Sequence, residues 1–211
     1  MLSVEMLPRK KLEEHFKQYV DDIHSGAMWS VKCYSTFLNL IQEKNFKEVC
    51  IYGVGFGTHA EFLLKNTNLK NLRLADRMDG TEPNVFTSAV NNLEPKIPGQ
   101  QFEEVIGLVD GLLAPYSSRY VWYKKSYNDL SEIIDGSLNC IFIDTYYNPA
   151  DIEKIYLALI FKIAPGGMLI SDGYSNPSEK AAVDAFCKKY SKTLTFYEIP
   201  SAGYQLYCIN V

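Results

Sequence analysis

The 211-residue sequence has no long uncharged apolar run, no basic excess, no internal repeat and no low-complexity tract. Each absence removes a class of function. The N-terminal stretch "PRKKLEEHFKQ" carries charges where a leader would need an apolar segment, so neither a signal peptide nor a membrane span is expected. A net charge of -4 and a pI near 5.4 argue against a nucleic-acid partner, which calls for a basic surface. The five cysteines, Cys33, Cys50, Cys140, Cys187 and Cys208, are odd in number, lie in apolar segments and form no CxxC pair. They read as reduced, core-filling thiols of a cytoplasmic protein.

What is present is an ordinary apolar share of 47% and an unusually aromatic composition, with fifteen tyrosines. The length suits one domain with a substantial core. Residues 8–24 place Leu12, Phe16, Tyr19, Val20 and Ile23 on one helical face, and a second helix is expected to end at Lys44. After Lys47 the texture changes. Short apolar runs ("EVCIYGV", "NLRLAD", "RYVWYKK", "LNCIFID", "GGMLISD", "LTFYEIP", "YQLYCINV") alternate with amphipathic stretches at 58–66, 82–93, 149–163 and 177–190. That alternation predicts an α/β fold with a mostly parallel seven-stranded sheet covered on both faces. The last two runs are joined by Pro200–Gly203, too short for a crossover, so they form an antiparallel C-terminal hairpin. Residues 94–119 read as an insertion with turns and at most a short helix. The organisation expected is an N-terminal helical cap, 1–46, and a main domain, 47–211.

Strand "VCIY" runs into "GVGFGTHAEFLLKN", with glycines at 53, 55 and 57. Glycines at alternate positions between a strand and a helix let a ligand lie against bare backbone at a helix N-terminus. A dinucleotide fingerprint would place its third glycine at 58, where Thr58 stands. Asp76 ends the next strand, roughly 20 residues beyond the glycines, the usual offset for a carboxylate that grips ribose hydroxyls. A tight turn without a ligand and a solvated acid at a strand end are the plain alternatives.

The GxGxG spacing, together with Phe142-Ile143-Asp144, a Pro165-Gly166-Gly167 turn, Asp172 with Tyr174, and Ala182-Val183-Asp184-Ala185-Phe186, resembles class I S-adenosylmethionine (SAM)-dependent methyltransferases. The chain is most similar to the methyltransferase family 24 group, which includes macrolide-sugar O-methyltransferases. The resemblance spans about 48–211 and implies a Rossmann-like methyltransferase fold, SAM as cofactor and a small-molecule acceptor such as a sugar, phenol or natural-product hydroxyl. It implies cofactor contacts from Tyr52, Gly53, Gly55, Gly57, Asp76, Arg77, Ser126, Tyr127 and Asp144. The catalytic residues would be Asp144 and Asp172, and a homodimer is compatible with the group. The sequence departs from the group at Ile51, Tyr147 and Gly173, where relatives carry an acid, a basic residue and a metal-ligating acid or amide.

Parallel strands open their C-terminal ends onto one crevice, so Asp76, Asp144 and Asp172 are expected to face the glycine loop together. Asp144 and Asp172 offer a pair of ligands for Mg²⁺, or Asp144 a general base. Asp172 has a structural alternative as the cap of a helix starting near Pro177 or as a hydrogen-bond partner of a loop. His59 reads as helix packing, as do Trp29 and Tyr34, which otherwise would roof a substrate. Two rival functions remain: a SAM-binding protein without catalysis, and an NAD(P)-dependent oxidoreductase.

Overall fold

The computed structural model describes residues 9–26, 28, 30–76, 102–124, 129–144, 148–200 and 203–211. Two helices, α1 (Arg9–His24) and α2 (Ser30–Lys44), precede β1 (Val49–Tyr52), α3 (Thr58–Asn66) and β2 (Leu72–Ala75). Then come α4 (Phe102–Leu113), β3 (Tyr120–Tyr123), β4 (Leu138–Ile143), α5 (Ile152–Ile160), β5 (Ile163–Ser171) and α6 (Pro177–Lys189). The chain closes with β6 (Leu194–Ile199) and β7 (Tyr204–Asn210).

Among the described residues seven strands form one sheet in the order β3-β2-β1-β4-β5-β7-β6. The first five are parallel, and β7 runs antiparallel to both β5 and β6. Strand β1 is apolar throughout because both of its faces are covered. Val49 and Ile51 join one core layer with Phe37, Leu40, Leu63 and Val109, while Cys50 and Tyr52 join the other with Tyr156, Val183 and Phe186. All five cysteines are free and buried. Helix α2 buries Cys33, Phe37, Leu40 and Ile41 in the first layer, so it packs on the sheet itself.

Two elements differ from expectation. The segment 94–119 holds a 12-residue helix, α4, because Val105, Val109 and Leu113 recur at helical spacing and are fully buried. The Pro165-Gly166-Gly167 run is no free turn. It lies inside β5, where the register with β4 shifts between Leu138 and Cys140. A Cβ on Gly167 would stand 2.3 Å from the Asn139 carbonyl oxygen, so the backbones approach there in a way only glycine allows. The expected helix 82–93 lies outside the described residues.

Candidate active site

The sheet steps outward in opposite directions from β1 and β4, which makes their C-terminal ends the switch point where α/β folds bind ligands. Strand β1 ends at Tyr52, buried, whose carbonyl accepts the Asp144 amide at 2.7 Å. The loop then turns through Gly53 (φ 99°), Gly55 (φ 52°) and Gly57 (φ 77°). The Gly53 amide bonds the Ala75 carbonyl at 2.8 Å and pins the loop's first residue to β2.

The glycines serve different needs. A Cβ on Gly57 would meet Val109 Cγ1 at 2.8 Å, so this position is closed by packing against α4. Among the described residues a Cβ on Gly55 would meet nothing within 4 Å, so its face is open there to a ligand. Asp76, nearly fully buried, accepts from the amides of Val54 (2.7 Å) and Gly55 (3.3 Å) through Oδ2. It therefore organises the loop, a role its sequence position did not announce.

Asp144 and Asp172 end neighbouring parallel strands, as expected. Asp172 is half-buried. Its carboxyl is pushed up to about 7 by burial first, then by the charges of Asp144 and Glu179. Cys33 Sγ from α2 points to Asp172 Oδ2 at 3.8 Å, and burial plus the two aspartates raise this thiol well above its ordinary value. Asp172 is not the cap of α6. Asn176 is, its side chain accepting from the Ser178 amide at 3.0 Å. The Gly173 position also has an explanation: the Glu179 carboxylate, which accepts from Tyr207 at 3.0 Å, fills the space a side chain there would need.

The side chain sequence reasoning undervalued is His59. It is packed, as expected, but its Nδ1 lies 2.9 Å from Asp144 Oδ2. The signal available was a histidine two residues past the glycine loop, and no spacing rule connects it to a strand end 85 positions away. Around this pair stand Tyr34, stacked on the His59 ring, with Tyr19 and Thr58. Burial, then the Asp144 charge, pushes Tyr19 up to about 12 and Tyr34 well above its ordinary range. Phe16 and Tyr19 of α1 pack on Phe56 of the loop, with ring centroids 5.4 and 5.0 Å away. Arg77, Ser126, Tyr127, Trp29 and Tyr147 lie outside the described residues.

Among the described residues no three His, Cys, Asp or Glu side chains are grouped to hold a metal ion. The Asp144–Asp172 pair thus has no third protein ligand there. No helix of the described residues is long and apolar enough to cross a membrane.

No family model matches the chain, and no curated protein matches it. Solved structures do. The methyltransferase domain of bacterial CtHen1 superposes with a TM-score of 0.61 at 12% identity, covering 87% of this chain and 100% of that one. The O-methyltransferase TomG from Streptomyces achromogenes, in complex with SAM, has a TM-score of 0.56 at 12% identity, covering 100% and 92%. An O-methyltransferase from Bacillus cereus bound to S-adenosylhomocysteine (SAH) has a TM-score of 0.56 at 13% identity, covering 93% and 91%. The chain has the Rossmann-like fold of class I methyltransferases.

Proposed function

We propose that the chain is a SAM-dependent methyltransferase acting on an oxygen of a small molecule. The observation that carries this reading is the loop: Gly55 presents open backbone at the β1–β4 switch point, ahead of the α3 N-terminus. The likeness to TomG and the Bacillus cereus enzyme supports oxygen as the acceptor atom. Tyr52, Gly53, Gly55, Gly57 and Asp76 would hold the cofactor, Asp76 both bracing the loop and meeting the ribose. Arg77, Ser126 and Tyr127 complete that reading from the sequence alone. The cap read over 1–46 would be supplied by α1, whose Phe16 and Tyr19 pack on Phe56 of the loop, since α2 belongs to the sheet's own core; the main domain read over 47–211 would carry the cofactor. Five buried free thiols suit a reducing, cytoplasmic setting.

When bound, SAM supplies a methyl group on a sulfonium that departs as a neutral thioether. The chain's residues align the acceptor, exclude water and receive a proton. Asp172, with a carboxyl near 7, is poised to take the acceptor hydroxyl's proton at neutral pH. The Asp144 carboxylate is one cause of that rise, and its Oδ2 meets His59 Nδ1 at 2.9 Å, so the two carboxyls have different neighbours.

The experiment is SAH release across a panel of hydroxylated phenols and sugars, with and without EDTA. The rate should climb as pH rises through about 7 while Asp172 loses its proton. Asp172→Asn should lower turnover by about 10² or more. A turning-over acceptor whose rate ignores both the substitution and this pH range contradicts the assignment.

A further inference from the structure

We propose that His59 is a positioning residue that holds the Asp144 carboxylate at the crevice through an Nδ1–H···Oδ2 hydrogen bond, its Nε2 carrying no proton. The catalytic consequence rests on the methyl-transfer reading; the hydrogen bond itself does not.

The surroundings of the ring fix which nitrogen is protonated. Nε2 is buried and has no hydrogen-bond partner among the described residues, and the side chain is only 2% exposed. A proton there would leave a buried donor without an acceptor, which costs more than a bare lone pair in an apolar pocket. On the other side Nδ1 faces Asp144 Oδ2 at 2.9 Å, an acceptor that rewards a donor.

The ring has no freedom to turn. Tyr34 stacks on it with centroids 4.0 Å apart and planes at 11°, while Phe37 and Phe142 meet it edge-on at 5.5 and 4.8 Å. Asp144 is fixed from behind by its amide on the Tyr52 carbonyl. With Oδ2 taken by His59, Oδ1 is, among the described residues, the oxygen left to meet a ligand, and the Asp144 side chain keeps 22% exposure. The histidine links three parts of the site: the helix after the glycine loop, the end of β4, and α2 through Tyr34. Among the described residues, Tyr19 of α1, Tyr34 and Cys33 of α2, Thr58 of α3 and Asp172 after β5 are the polar groups facing this pair.

Two variants separate the hydrogen bond from the packing. His59→Phe keeps a ring among aromatic neighbours and removes the donor. His59→Asn sets an amide nitrogen where Nδ1 stands and gives up ring contacts. Activity should follow the donor and thermal stability the ring. We expect His59→Phe to melt near the parent, bind cofactor nearly as well, and lose kcat ten- to hundredfold. His59→Asn should melt lower yet recover at least about tenfold of that lost kcat. The reverse order, with activity tracking stability, overturns the proposal. The parent's ¹⁵N histidine spectrum is the readout independent of turnover, with His59 assigned by its loss in His59→Asn. A proton on Nδ1 alone supports the inference, and a proton on Nε2 refutes it. If no acceptor turns over, the methyl-transfer reading fails, and this spectrum still decides the hydrogen bond; it also decides should His59→Phe not fold.

Discussion

Asp172 is held in a place that resists its charge, since burial and two neighbouring carboxylates together push its carboxyl from 3.8 up to about 7. The native state therefore binds this proton more tightly than the unfolded chain does. Below about pH 4 both states are protonated and the site costs nothing. As pH rises from about 4 to about 7 the unfolded chain ionises first, and stability falls until the native carboxyl has also lost its proton. Asp172→Asn removes the cost. The variant should be more stable than the parent by ~2–4 kcal/mol above pH 7, the gap closing toward pH 4. Chemical denaturation of both proteins from pH 4 to 8 checks it, and a gap that does not change with pH contradicts the origin assigned to the shift. At this scale the sequence made the strand-end acids legible, because parallel strands deliver their last residues to one crevice. It did not make their partners legible. The His59–Asp144 bond and the two loop amides on Asp76 are contacts between elements distant in sequence, and the Glu179 carboxylate beside Gly173, though close along the chain, depends on how α6 folds back over the end of β5.

Strands, helices and the C-terminal hairpin were readable from hydrophobic pattern alone, since β1 and β4 are apolar on both faces and the link after Pro200 is short. Helix α4 was hidden by its flanking prolines and glycines, although Val105, Val109 and Leu113 mark its buried stripe. The Pro-Gly-Gly run misled for a related reason. A glycine signals a turn or a close backbone approach, and only the neighbouring strand tells which. Two alanine substitutions should therefore have opposite effects. Gly167→Ala drives a methyl into the Asn139 carbonyl and should cost about 2–3 kcal/mol or more. Gly107→Ala, inside α4 with nothing within 4 Å of its Cβ, should stabilise by about 0.5–1 kcal/mol. Thermal melts of both variants test this, and equal effects would show that the β4–β5 approach is looser than described.

For the whole molecule, the sheet order fixes where a ligand belongs and the loop chemistry narrows which one. A nicotinamide cofactor would use the same crevice, but its fingerprint asks for glycine where Thr58 begins α3. An inactive SAM binder would share every cofactor contact and lack turnover, so binding alone separates the oxidoreductase and turnover the inactive form. The likeness to solved methyltransferases is one of fold, at 12–13% identity, and the cofactor must be tested on this chain directly. Isothermal calorimetry with SAM, SAH, NAD and NADP on the parent and on Gly55→Val is the decisive measurement. The parent should bind SAM and SAH and neither nicotinamide, while Gly55→Val stays folded and binds none, because its side chain fills the open face of the loop and a branched residue cannot hold φ 52° without strain. A parent that binds NAD or NADP and not SAM, or a Gly55→Val variant that binds SAM as tightly as the parent, would contradict the assignment of this crevice.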